Sequence, residues 1–205
     1  MVDIQRANPQ RADSTRNRQK LIEVVANHLR TSNDPLSMTK VAKEAELSVP
    51  TAYRYFSDVE DIKSAYLEGV VSDLRVFSEA SELHGAALFD AVLAEWFRIQ
   101  ESQGLAIIHV RSRRGFLQRL HSDDAVIGEV ARTWRNPIAE LLEEHGISNV
   151  DPDIALYFYN LIFDPREIHD LRIETGQDKA TEHLRRLLTK IYLSAVAQWA
   201  HDDHP

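Results

Sequence analysis
Between Ser37 and Phe56 the chain reads SMTKVAKEAELSVPTAYRYF, and its chemistry is that of contact rather than catalysis. Val49, Pro50 and Thr51 are small and consecutive, so a backbone carrying them can approach base edges and thymine methyls closely. Tyr53 and Tyr55 follow with hydroxyls that reach phosphate oxygens, and Thr39 and Lys40 stand ahead where a backbone and a groove edge would meet them. Lys63, further on, is a fifth cationic or hydroxyl contact of the same kind. Elsewhere the reactive residue types are scattered. Nine histidines are present but no HExxH pair, and His109, His121, His145, His169 and His183 fall in separate predicted helices. His201 and His204 sit in an acidic tail, HDDHP. There is no cysteine, no Gly-rich phosphate loop and no GxSxG, so neither a catalytic residue nor a metal site is assigned and no cofactor is expected.

The elements that must position these side chains are two short helices joined by a tight turn. Ser37 is an N-cap, and Val41, Ala42 and Ala45 give the first helix an apolar face. Leu47 fills the turn. Ser48 caps the second helix and Pro50 lies in its first turn, where a missing N–H costs nothing. Ala52 and Phe56, four apart, face inward and leave Val49, Thr51, Tyr53 and Tyr55 outside. Such a helix suits a DNA major groove.

The run V-A-x-x-A-x-L-S-x-x-T-x-Y-R-Y-F, Val41 to Phe56, closely resembles the TetR family of bacterial transcriptional regulators. In detail the resemblance covers about residues 16 to 70, and beyond that it is one of layout. It implies an all-α fold with an N-terminal three-helix helix-turn-helix domain and a C-terminal helical bundle domain. It also implies a homodimer on a palindromic operator, controlled by a small molecule of unknown identity in the C-terminal domain. The chain departs from the family twice. Glu46 stands where the family has a turn glycine, so it must adopt a left-handed conformation or use another turn. Val59 replaces a phosphate-contacting lysine near the next helix start, leaving Lys63 as the substitute.

The net charge is −8, which at first argues against nucleic acid. Its distribution argues otherwise. Residues 1–63 hold ten basic and nine acidic residues, +1, and the remainder fourteen against 23, −9. Arg6, Arg11, Arg16, Arg18 and Lys20 face only Asp13 within residues 6–20, a cationic arm on an acidic body. The expected organisation is a disordered basic arm over 1–15, a helix-turn-helix domain over 16–62, and a ligand-binding and dimerisation domain over 63–205. The first helix is expected from about Thr15, with Leu21, Ile22, Val25 and Leu29 inward, ending before Asn33-Asp34-Pro35.

Ser57-Asp58-Val59-Glu60 reads as a capping box for a helix to about Ser78 that links the two domains. Helices are then predicted over Ala86–Gln100, Leu105–Leu120, Val126–Trp134, Asn136–Glu144 (or one helix kinked at Pro137), 152–163, 165–174 and 179–200. No alternating strand pattern, signal core or membrane-length apolar run occurs, so a cytoplasmic protein is expected. Trp96, Gln100, His109, Phe116, Trp134, Tyr157 and Asn160 are aromatic or polar residues of the kind that line helical ligand pockets. Surplus apolar surface on the last helices marks a dimer interface of Tyr159, Phe163, Leu184, Leu188, Ile191, Ala195 and Trp199. The other reading of the chain is an all-α protein-interaction module with a vestigial DNA reader.

Overall fold
In the computed structural model, residues 9–32, 34–103 and 114–202 are described, and no strand occurs among them. The chain divides into two compact units, 1–67 and 68–205.

The first unit contains α1 (Pro9–Thr31), α2 (Met38–Glu44), α3 (Val49–Tyr55) and the start of α4 (Val59–Glu79). Its core is a stripe on α1, Leu21, Ile22, Val25, Ala26 and Leu29, with Val41, Ala42 and Ala45 of α2, Ala52 and Phe56, and Ile62 and Tyr66 of α4. Each large aliphatic side chain buried this way contributes roughly 1.5–3 kcal/mol. α1 begins at Pro9, not at Thr15, so residues 9–15 of the expected disordered arm are helical, and residues 1–8 lie outside the described residues. Pro9 is preset for the first helical position, and the following Gln, Arg and Ala residues favour helix. Arg6 lies outside the described residues. Two cations assigned to the arm fold back on their own unit: Arg18 stacks 5.0 Å from the Phe56 ring centre, and Lys20 lies 3.7 Å from Glu46.

The turn between α2 and α3 is closed by Glu46 at φ +58°. Leu47 N–H donates to the Ala42 carbonyl at 2.9 Å and Glu46 N–H to that of Lys43 at 3.1 Å, a Schellman ending that is normally built on glycine. Because Glu46 carries a Cβ in the left-handed region, Glu46→Gly is expected to stabilise this unit by about 1 kcal/mol. The exposed pair with Lys20 that it removes is worth less than that. Chemical denaturation measures the change, and a loss of stability would mean that the turn carries no strain.

The predicted capping box exists one residue later than expected. The Asp58 carboxylate accepts the Asp61 N–H at 2.8 Å, and Asp61 reaches back to the Ser57 N–H at 3.1 Å. Glu60 instead pairs with Lys63 at 2.6 Å. Because α4 starts at Val59, Asp58 takes the cap position and Asp61 the third helical position, and the return bond goes to the residue before the cap.

The second unit contains the rest of α4, then α5 (Gly85–Gln103), α6 (Phe116–Leu120), α7 (Ala125–Glu144), α8 (Pro152–Ile162), α9 (Pro165–Thr175) and α10 (Gln177–Asp202). The helix expected over Leu105–Leu120 lies largely outside the described residues. α7 is one helix through Pro137, not two. Asn136 does not cap a new start, since its amide donates to Glu140 at 2.9 Å. Ile127, Ala131, Trp134, Ile138 and Leu141 are buried along α7 on both sides of the proline, and this packing holds the helix continuous. Asp124, Asp151 and Asp164 cap α7, α8 and α9, the last two with proline following, as their sequence signals require.

The core of this unit is an aromatic cluster. Trp134 of α7 lies 4.2 Å from Tyr159 of α8 between ring centres, and Phe89 of α5 sits 5.8–6.0 Å from Trp134, Phe163 and Tyr192. The Tyr192 hydroxyl donates to the Ala155 carbonyl at 3.2 Å, which ties α10 to α8 by a buried polar tip. The N-terminus of α5 is held by α7: Gly85 N–H donates to Glu140 and Ala86 N–H to Glu144, both at 2.7 Å. Gly85 has φ +60°, and a Cβ there would collide with the Glu144 carboxylate. The Gly85 N–H, the largest influence on it, holds the Glu140 carboxyl below its ordinary value. The C-terminal half of α4 is held to α7 by charge. Arg75 Nε lies 3.3 Å from buried Glu129, which Arg132 also engages at 2.7 Å. Burial works to raise the Glu129 carboxyl, but hydrogen bonding and charge from Arg132, with Arg75 behind, leave it below the usual range.

Candidate nucleic-acid interface
The outer face of α3 is built by its caps and its single buried residue. Ser48 Oγ accepts the Thr51 N–H at 3.2 Å and lies 2.7 Å from Thr51 Oγ1, so cap and side chain are oriented together. Ser37 caps α2 in the same way, accepting the Lys40 N–H at 3.2 Å. Ala52 is fully buried, which turns the adjacent side chains outward. Tyr53 is 54% exposed, Ser48 and Pro50 are exposed, and Val49, Thr51 and Tyr55 are half-buried. Thr39 and Lys40 are exposed at the start of α2. The structure therefore places the expected contact residues of α2 and α3 on the surface of one unit.

Two residues sit differently from what their types predict. Lys63 is paired with Glu60, and its side chain is only 18% exposed, so its ammonium is engaged within α4. The Tyr55 hydroxyl is reached by the side chains of Ser14 and Asn17, whose hydrogen bonds, Ser14 first, draw its phenol below the ordinary tyrosine value. Arg54 lies 5.7 Å from the Tyr55 ring centre. Ser14 and Asn17 were not among the expected site residues, and Arg18 was counted only in the cationic arm. Their i, i+3, i+4 spacing is the available signal, and it is hidden when α1 is started at Thr15.

In the second unit the expected pocket residues divide. Trp134 is 2% exposed inside the aromatic cluster, packed against Phe89 and Tyr159, so it is first of all a core residue. Trp96, Gln100 and Phe116 are buried, Tyr157 and Asn160 are half-buried on α8, and His109 lies outside the described residues. The Gln100 amide nitrogen is buried without a hydrogen-bond partner. A described cavity of about 290 Å³ lies elsewhere, lined by the C-terminal half of α7 with Ile147, Val150 and Ala155, and contains none of the seven.

The expected interface residues divide as well. Tyr159, Phe163 and Leu184 are 5%, 2% and 4% exposed, and so belong to the core of their own subunit, a correction to their interface role. On an all-round apolar helix, spacing alone cannot say which side the core takes. Here positions 155, 156 and 159 of α8 face inward, with Phe163 following at its C-cap. Leu188 and Ala195 are half-buried, and Ile191 and Trp199 are 45% and 40% exposed. Leu161 and Leu187, at 57% and 45%, join them, and Phe158 meets Trp199 edge-on at 5.7 Å. No group of three or more metal-ligating side chains occurs among the described residues, and no helix among them is long and apolar enough to cross a membrane.

No protein-family model matches the chain, and no curated protein matches it. Solved structures do. A TetR-family transcriptional regulator from Streptomyces coelicolor superposes with a TM-score of 0.56 at 16% identity, over 93% of this chain and 90% of that one. A TetR-family transcription regulator from Marinobacter aquaeolei gives 0.55 at 19% identity, over 92% and 98%. The fatty acid degradation regulator FadR from Bacillus halodurans gives 0.53 at 18%, over 92% and 97%. The chain shares the fold of these regulators.

Proposed function
We propose that this chain, with its TetR-type fold, is a transcriptional regulator that binds a palindromic operator as a homodimer and releases it when a small molecule occupies the second unit. The observation that carries the reading is the outer face of α3: Val49, Pro50, Thr51 and Tyr53 displayed by a Ser48-capped helix over a fully buried Ala52. Val49, Pro50 and Thr51 read bases, Tyr53 and Tyr55 contact phosphates, and Thr39 and Lys40 meet the groove edge. Glu46 does not stand in the way, because its left-handed conformation closes the turn that glycine closes in the family.

One short helix reads too few base pairs for useful affinity, and a two-fold dimer supplies a second. The exposed apolar residues of α8 and α10, Leu161, Leu187, Ile191 and Trp199, supply its surface. For the effector, the buried and unpartnered Gln100 nitrogen is the supporting feature, since an unmade buried hydrogen bond costs about 1–3 kcal/mol that a ligand acceptor would recover. Binding there would act on α4 through α7 by a differential affinity for two states, typically about 1–3 kcal/mol.

Tyr53→Phe is expected to weaken binding about tenfold on every sequence, the scale of one hydrogen bond to a charged oxygen. Thr51→Ala is expected to relax preference at one base pair in each half-site, leaving the rest of the consensus unchanged. Equilibrium titration of wild type and both variants against matched and mismatched duplexes separates the two effects. Unchanged affinity and selectivity in both would remove this assignment.

A further inference from the structure
Arg18 continues the core stripe of α1 by one turn. Leu21, Ile22 and Val25 stand three, four and seven residues after it and are all buried, so one face of the helix carries all four. At that register the guanidinium meets an aromatic ring. Its central carbon lies 5.0 Å from the ring centre of Phe56, a buried residue that is the C-cap of α3. Arg18 as a whole is nevertheless exposed, the usual state of a long side chain whose stem covers apolar surface while its head stays in water. We infer that Arg18 is a phosphate-contacting residue held ready by the Phe56 ring, and that it supplies the cationic contact that Lys63, paired with Glu60, does not.

Arg18 differs from neighbouring cations of its unit in the kind of partner it has. Arg16 lies 3.7 Å from Asp13, Lys20 3.7 Å from Glu46 and Lys63 2.6 Å from Glu60. Each of those charges is already met by a carboxylate, which a phosphate would have to displace. No carboxylate pairs with Arg18 among the described residues, and a ring face leaves its charge uncancelled. Stacking occupies only the flat face of a guanidinium. Its five N–H donors lie in the plane, where they can take a phosphate by two bonds at once. A stacked side chain also has less rotamer freedom to lose when the contact forms. The position suits the role, because Tyr55, which the proposed reading sets on a phosphate, immediately precedes Phe56.

The inference rests on the DNA-binding reading, and its test keeps the two apart. Wild type, Arg18→Gln, Arg18→Lys and Arg16→Gln are titrated at several salt concentrations against a duplex recovered by selection and mismatched versions of it. Arg18→Gln is expected to lose about tenfold in affinity per bound subunit on every duplex, the scale of a charge-assisted hydrogen bond. The slope of log affinity against log salt should fall by about one per bound subunit. Arg18→Lys keeps the charge without the planar fork, so it should keep the slope and lose less affinity. Arg16→Gln removes a charge that Asp13 already meets, and should leave the slope in place. A purely structural role for Arg18 would lower affinity through stability without moving the slope. An unchanged slope in Arg18→Gln, or an equal fall in Arg18→Lys or Arg16→Gln, would overturn the inference and leave the regulator standing. A wild-type protein that recovers no duplex would overturn both.

Discussion
Trp134→Ala is expected to cost about 3–5 kcal/mol of folding stability, the range for deleting a large aromatic from a closed core. The indole is 2% exposed and touches Phe89 and Tyr159, which in turn touch Phe163 and Tyr192. Four helices, α5, α7, α8 and α10, meet there, so the vacated volume cannot be refilled by one side chain without moving a helix. Aromatic pairs add about 0.5–1.5 kcal/mol each beyond the area they bury, and the substitution removes two of them. Urea denaturation followed by circular dichroism measures the loss. A well-folded Trp134→Ala protein with changed ligand response would return this residue to the pocket that its type first indicated.

Ile191→Glu is expected to divide the proposed homodimer into monomers while leaving each subunit folded. The side chain is 45% exposed in the single subunit, so a carboxylate there is solvated and costs within about 0.5 kcal/mol. In a dimer packed on α8 and α10, two such carboxylates would be buried close to a symmetry axis without partners. The penalty is several kcal/mol, enough to raise the dissociation constant by more than about a thousandfold. Sedimentation velocity gives the outcome directly. Leu184→Glu is the informative contrast, because Leu184 is 4% exposed and its substitution should unfold the second unit rather than divide the dimer. A dimeric Ile191→Glu protein would place the interface on another face.

The elements of this fold were legible wherever a cap and a periodic stripe agreed. Asp-Pro at 151–152 and 164–165 fixed the starts of α8 and α9, and Ser37 and Ser48 those of α2 and α3. Local signals failed where long-range packing decided the result. Asn136-Pro137 carries a helix-start signal, yet buried residues on both sides keep α7 whole. Asn8-Pro9 carries the same signal and does open a helix, so the dipeptide alone cannot separate the cases. The α3 face was legible because a seven-residue helix with one buried alanine has few orientations. Which of the expected pocket and interface residues lie in the core was not legible, because α8 and α10 are apolar on more than one side. Which side meets the core depends on Phe89 and Trp134, residues far away in the chain. The stacking of Arg18 on Phe56 joins α1 to the end of α3, a contact that spacing within either helix does not contain.

Selection of bound sequences from a random duplex DNA library, with titration of the recovered sequence at several salt concentrations, tests the central claim most directly. The expected result is a palindromic consensus bound by two subunits, with affinity falling steeply and linearly in the logarithm of salt concentration. Recovery of no enriched sequence, or of binding without salt dependence or two-fold symmetry, would contradict it.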